Sequence, residues 1–349
     1  VPNIAFVITK SEVGGAQRWV LEQVKLFYRD YKVTLITSES GWLTESILCD
    51  KIIIIPQLKK MASFSAIYLM YKALKENNID IVIASSANAG LYSRITRIFI
   101  KFRCIYVSHG WSCLYNGRFL KPIFCYVERL LSHLTDVIWC VSKSDELKAT
   151  NEIRINKNKL VTLLNAITPL SPRDIRSCEN KILFLGRLTH PKRPDLICRV
   201  VSSNPEYRLD VVGTGEYIDS LITEYVDFNN ISFLGEIENF SAFNQYDVFV
   251  LTSDSEGLPM SALEAATAGV PLILSDVGGC NEVIDGNGLL ISNSEISLST
   301  ALEDIFTNYD EFYTIAQNKK NKFDVNNKKE EYRRVILGDY LKGYNCTEI

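Results

Sequence analysis

Histidine is scarce in this 349-residue chain, which has only three, at positions 109, 133 and 190. That scarcity argues against a histidine-rich metal centre. Nine cysteines are present, none in a C-x-x-C spacing. Their odd number, and the placing of several inside apolar runs, reads as free thiols in a reducing compartment rather than a disulfide frame. No apolar run approaches the length of a membrane span, and no signal-peptide pattern is visible. The net charge of −3 offers no general surplus of cations for nucleic acid. There is no short-period repeat and no low-complexity segment. The glycine run Val212-Gly213-Thr214-Gly215-Glu216 invites a dinucleotide reading, but its third glycine would fall at Ile218. The fingerprint therefore fails, and a dehydrogenase is disfavoured.

What the chain does have is ordinary globular composition, 47% apolar and 23% charged, and enough length for two domains. Short apolar runs alternate with helical periodicity. The runs Ile4–Ile8, Val33–Thr37, Ile52–Ile55, Ile81–Ala84, Cys104–Ser108, Val137–Val141 and Leu160–Leu164 predict strands, with helices such as Ala16–Tyr28, Ser63–Glu76 and Phe119–Leu134 between them. This alternation means βαβ units and a parallel sheet. A second series follows: Ile182–Leu185, Arg208–Val212, Ile231–Leu234, Val248–Leu251, Pro271–Leu274 and Gly288–Ile291. The expected organisation is an α/β, doubly wound, Rossmann-like domain over residues 1–168, a linker rich in proline and serine over 169–180, a second such domain over 181–325, and a charged helical tail over 326–349. The carboxyl ends of the two sheets are expected to face a central cleft, where ligands bind in sheets of this class.

The most specific stretch is Ser253-Asp254-Ser255-Glu256-Gly257-Leu258-Pro259-Met260-Ser261-Ala262-Leu263-Glu264. It places a strand, a tight turn and a helix N-terminus in succession, a natural anion site because free N–H groups point outward. The two glutamates cannot grip phosphate, but they can accept hydrogen bonds from sugar hydroxyls. Together these features suggest a nucleotide sugar; the bland alternative is a solvated glutamate pair near a helix dipole. Gly186-Arg187-Leu188-Thr189-His190-Pro191-Lys192 turns at the end of another strand and offers a guanidinium fork and an ammonium for a diphosphate. In the first domain, Gly14-Gly15 precedes a helix directly after a strand, and His109-Gly110 closes the strand Cys104–Ser108. Val141-Ser142 and Asn165-Ala166 close two more.

This ordered set resembles the retaining GT-B glycosyltransferases of family 4, over most of the chain. The resemblance implies that Arg187 and Lys192 hold the donor diphosphate, that Glu264 accepts from the ribose, and that Glu256 meets the donor sugar together with the amides of Gly257, Leu258 and Met260. It implies that His109 approaches that sugar, that Gly15 and Gly213 lie near phosphate, and that the nucleobase rests near Gly235 and Ile237. Glu256, His109, Arg187 and Lys192 are thus the candidate catalytic set. The tail helix would cross back to the first domain. Two positions depart from the family: Pro259 stands where a second glycine is common, removing one N–H, and Asn165-Ala166 replaces Asn-Gly. The implied reaction moves a hexose or N-acetylhexosamine from a nucleotide diphosphate sugar, UDP-linked, to an acceptor with retention of configuration and no metal or other cofactor. A nucleotide-sugar epimerase on the same fold and a non-catalytic nucleotide-sugar-binding subunit remain as alternatives.

Between Asn88 and Ser132 there are seven cations, Arg94, Arg97, Lys101, Arg103, Arg118, Lys121 and Arg129, against the single acid Glu128. On one continuous helix Arg94, Arg97 and Lys101 share a side, next to an apolar stripe of Leu91, Ile95, Ile98 and Phe102; Trp111, Tyr115, Phe119 and Phe124 follow. Arg94, Arg97, Lys101 and Arg103 are therefore the expected patch for an anionic membrane surface, the alternative being a solvated cationic helix. Such a patch suits a lipid-linked (polyprenyl diphosphate) saccharide acceptor, and hence a cytoplasmic enzyme peripheral to the inner face of the cell membrane in surface polysaccharide synthesis.

Overall fold

The computed structural model describes residues 1–115, 120–174 and 177–339. Arg118, Phe119 and the part of the tail beyond residue 339 lie outside them, as does the Tyr115 side chain. The chain forms two compact units: the first joins Val1–Asn165 to the segment from Val325, and the second is Ala166–Asp324.

The first unit is built on seven parallel strands, β1 (Asn3–Val7), β2 (Lys32–Thr37), β3 (Lys51–Ile54), β4 (Ile81–Ala84), β5 (Arg103–Ser108), β6 (Val137–Cys140) and β7 (Leu160–Thr162), in the order β3-β2-β1-β4-β5-β6-β7. The second has six, β8 (Lys181–Leu185), β9 (Arg208–Val212), β10 (Ile231–Gly235), β11 (Val248–Leu251), β12 (Leu272–Ser275) and β13 (Gly288–Ile291), in the order β10-β9-β8-β11-β12-β13. Both are doubly wound. The central strands β4, β6, β11 and β12 are buried throughout and apolar along most of their length because helices cover both faces, whereas the edge strands β3 and β10 are partly exposed. The thirteen strands fall where apolar runs predict them. Three of the described helices start where serine accepts a first-turn N–H: Ser63 Oγ accepts from Ala66 N at 3.3 Å, Ser142 from Asp145 N at 3.1 Å and Ser294 from Ser297 N at 3.2 Å. The eight described cysteines are free thiols.

The tail helix Lys329–Leu337 belongs to the first unit. The Tyr332 ring sits 4.8 Å from that of Trp139, and its hydroxyl donates to Leu164 O at 2.7 Å. Residues 169–174, expected as linker, are tied into the second unit by Arg173. That buried side chain pairs with buried Asp247 and donates to Tyr309 Oη at 3.1 Å and Asn244 O at 3.0 Å. Charge and proline in the sequence do not reveal that a cation will be buried against a partner 74 residues later.

The expected membrane patch is corrected by the structure. The helix Ala87–Thr96 stops before Arg97, so Arg94, Arg97 and Lys101 do not share a helical side. Arg94 is wholly buried. Its guanidinium donates to both Glu128 oxygens, at 2.8 and 3.3 Å, and lies 4.3 Å from the centre of the Tyr106 ring. Arg97 donates to Asp136 at 2.6 Å and to Leu134 O at 3.0 Å. Arg103 donates to Val335 O and Ile336 O, both at 2.9 Å, and so caps the tail helix. Trp111 is buried and donates to Asp145 O at 2.9 Å. Of the four cations only Lys101 is exposed. The others hold the first unit together.

A stability prediction follows. Arg94→Met leaves Glu128 enclosed without its cation and is expected to destabilise the first unit by about 3–5 kcal/mol; adding Glu128→Leu should recover most of that loss. All four tryptophans, 19, 42, 111 and 139, lie in this unit, so urea unfolding followed by tryptophan fluorescence reads it directly. A shift within about 0.5 kcal/mol would mean a surface role for Arg94.

Candidate active site

In a doubly wound sheet the chain diverges on either side of the first strand, which leaves a crevice at the carboxyl ends. In the second unit this point lies between β8 and β11. The turns after β8, β9 and β10 interlock there: Gly186 N donates to Val212 O at 3.1 Å, Leu188 N to Thr214 O at 2.8 Å, and Gly213 N to Gly235 O at 2.8 Å. Gly213 has φ +139, and a Cβ on it would lie 2.0 Å from Gly186 O. Only glycine fits that crossing.

The Gly186 turn then runs alongside the segment after β11. Arg193 N donates to Thr252 O at 2.9 Å, Asp254 N to Pro191 O at 2.8 Å, and Lys192 forms an antiparallel bridge with Ser253. Lys192 Nζ donates to Glu256 Oε1, which also accepts from Ser253 Oγ at 2.5 Å. Arg187 is exposed and has no ion pair or hydrogen bond among the described residues. The sequence places Arg187 and Lys192 as a cation pair; the structure shows one engaged by a carboxylate and one open.

Glu264 lies on the helix Met260–Thr267 and is 7% exposed. Pro259 occupies the N-cap, and no side chain caps this helix. Leu258 and Met260 are buried, so their side chains pack inward. At the edge strand β10, Gly235 has φ +71 with open space where a Cβ would lie, and Ile237 is exposed.

In the first unit, Gly15 begins the helix Gly15–Phe27, which has no side-chain cap and no acid in its first turn. His109 follows β5. Its ring stands edge-on to Trp19 with centroids 5.3 Å apart, and its Nε2 is enclosed with no partner. Burial pushes its pKa down from 6.5 to about 4, so the imidazole is neutral near pH 7 and suited to hydrogen bonding rather than charge.

Further residues around Glu256 escaped the reading of the sequence. Gly278, with φ +58, lies so close that a Cβ on it would be 1.9 Å from Glu256 O, and Gly279 N donates to Gly257 O at 2.7 Å. The signal was there, since Gly278-Gly279 follows a predicted strand end as Gly14-Gly15 does. Asn293 had no such signal. It donates to Ser253 O at 2.7 Å and Asp254 Oδ1 at 3.0 Å, and accepts from Ser275 Oγ at 2.5 Å. Among the described residues no group of three His, Cys, Asp or Glu is placed to hold a metal ion.

The depressed His109 pKa sets a pH dependence. Between about 4 and 6.5 the unfolded chain binds a proton that the folded one refuses. The stabilisation is therefore full above pH 6.5 and is lost as pH falls towards 4. His109→Phe should remove this part of the acid sensitivity, read from urea midpoints at pH 7 and pH 4.5. An unchanged pH slope would contradict the enclosed imidazole.

Comparison with known proteins agrees with this architecture. Residues 13–169 match the model described as Glycosyltransferase Family 4, and residues 171–330 that described as Glycosyl transferases group 1. The O-antigen biosynthesis glycosyltransferase WbnH of Escherichia coli is 51% identical over 96% of this chain and 99% of its own length. The UDP-Gal:alpha-D-GlcNAc-diphosphoundecaprenol alpha-1,3-galactosyltransferase of the same species is 26% identical, covering 84% of this chain and 85% of its own. Anabaena HepE, in its crystal structure with UDP and glucose, superposes with a TM-score of 0.82 at 18% identity over 96% of this chain and 99% of its own. Two doubly wound parallel sheets of GT-B type, both family matches and a half-identical relative over nearly full length lead to one statement: the chain is a glycosyltransferase, with a Glycosyltransferase Family 4 domain followed by a Glycosyl transferases group 1 domain.

Proposed function

We propose that the protein transfers a hexose or N-acetylhexosamine from a UDP-linked donor, with retention of configuration, to a polyprenyl-diphosphate-linked saccharide in the synthesis of an O-antigen type surface polysaccharide. The observation that carries this is the open Arg187 beside the Lys192–Glu256 pair at the β8/β11 crevice. The names of the two Escherichia coli relatives supply the pathway and the acceptor class, and the HepE complex supplies the nucleotide.

On this reading the departing diphosphate draws Lys192 from Glu256, and Arg187 and Lys192 offset the negative charge that grows as the glycosyl–phosphate bond breaks. Glu256, released, accepts from donor-sugar hydroxyls, with the backbone amides of Gly257, Leu258 and Met260 nearby. Glu264 accepts from the ribose, Gly213 and Gly15 allow close backbone approach to phosphate, and Gly235 and Ile237 bound the base. His109 presents a neutral ring to the donor sugar. The two cations fill the role of a divalent metal, so none is required. The enzyme works peripherally at the inner face of the membrane; no helix among the described residues is long and apolar enough to cross it.

The test is a panel of nucleotide sugars with a polyprenyl-linked acceptor, products read by mass spectrometry. A donor isomerised without transfer would indicate an epimerase instead. Glu264→Ala is expected to weaken UDP binding by roughly ten- to 150-fold, the cost of a charged hydrogen bond of about 1.5–3 kcal/mol, whereas Glu256→Ala should chiefly lower kcat. Wild-type affinity and rate in both would remove the site assignment. EDTA should leave turnover unchanged; loss on chelation with rescue by magnesium or manganese would overturn the metal-free reading.

A further inference from the structure

The helix Lys121–Ser132 buries Cys125, Leu131 and Ser132. Another face of it carries Ile123, Tyr126, Val127 and Leu130, at the i, i+3, i+4, i+7 spacing that normally marks a core-facing side. Here these residues are 58, 59, 38 and 50% exposed. The Arg94–Glu128 pair holds the helix Ala87–Thr96 against this one, and Arg97 bonds Leu134 O and Asp136 just beyond its carboxyl end. Ile98 and Phe99, next in the chain after Arg97, are 62 and 63% exposed. Four large apolar residues exposed on one face of a helix, with two more exposed just after the helix packed beside it, mark an interaction site rather than singly scattered surface residues.

Its rim is cationic. Lys101 and Arg129 are exposed, and neither has an ion pair among the described residues. The only acid of the helix, Glu128, is turned inward to Arg94, and Lys121 is paired with Glu152 at 3.0 Å. An apolar stripe flanked by unpaired cations and, among the described residues of its helix, by no unpaired acid complements an anionic bilayer, where apolar side chains enter the headgroup boundary and cations meet lipid phosphate. Tyr126 suits that boundary, with an apolar ring and a polar tip. We infer that the exposed stripe of the helix Lys121–Ser132, extended by Ile98 and Phe99, is the surface by which this enzyme lies on an anionic membrane. The inference rests on the reading of a lipid-linked acceptor. It replaces the buried arginines with a different, mainly apolar contact.

The experiment compares wild type with Ile123→Gln/Leu130→Gln and with Lys101→Ser/Arg129→Ser, by sedimentation with phosphatidylethanolamine/phosphatidylglycerol vesicles and with phosphatidylcholine vesicles at two salt concentrations. The first variant should lose roughly tenfold or more in partitioning to the anionic vesicles. The second should lose the preference for anionic over neutral vesicles, an effect that fades at high salt. All three proteins should bind UDP alike by calorimetry and unfold alike by tryptophan fluorescence. Equal sedimentation of wild type and the first variant would overturn the proposal. So would a wild-type dimer in light scattering that the first variant makes monomeric while neither sediments, since the stripe would then belong to a second copy. Failure of the wild type to bind UDP would instead count against the functional reading and leave the vesicle result standing.

Discussion

Everything in the second unit that bears on chemistry depends on one juncture, where the turn after β8 is laid along the segment after β11. Backbone hydrogen bonds from Arg193 and Asp254 fix the register, and the Lys192–Glu256 pair closes it. The juncture exists because side chains are missing where backbone must cross backbone: Gly213 under Gly186 O, and Gly278 against Glu256 O. Glycine is costly to order; here it lets two carbonyls be approached closely enough for a lysine and a glutamate from different loops to meet. A charge pair formed this way holds an ammonium and a carboxylate from different loops in contact, each offsetting the charge of the other.

How much of this could be read from the chain follows a physical line. Central strands buried on both faces betray themselves as short apolar runs, the edge strands were legible as β-branched and aromatic runs between turn residues, and so were the loops at their ends, because glycine at a strand terminus has few other uses. The Glu256/Glu264 spacing and the Gly186–Lys192 run were legible for the same reason: local chain geometry places them. What could not be read was partnership across distance. Arg173 meets Asp247, Arg103 meets the last carbonyls of the tail helix, and Asn293 steadies Ser253; no periodicity announces any of these.

The basic stretch shows the limit most plainly. A run with seven cations and one acid looks like a surface field, yet Arg94, the most enclosed of its described cations, is wholly buried, and the lone acid is its partner. A formal charge count treats each ion as exposed. Burial of a guanidinium demands a carboxylate and ring face near it, and both were present in the sequence as Glu128 and Tyr106, without any sign that they would converge. The apolar residues show the opposite case: the helical spacing of Ile123, Tyr126, Val127 and Leu130 ordinarily denotes a core face, and here it faces solvent.

The first unit is discontinuous in the chain, since the helix Lys329–Leu337 joins it only after all of the second unit has been spelled out. Trp139 and Arg103 wait for Tyr332 and for the carbonyls of Val335 and Ile336. During synthesis, therefore, the domain begun first is the one completed last. Until residue 337 has been made, Trp139 and Arg103 lack these partners, while the second unit, Ala166–Asp324, already has every residue it needs.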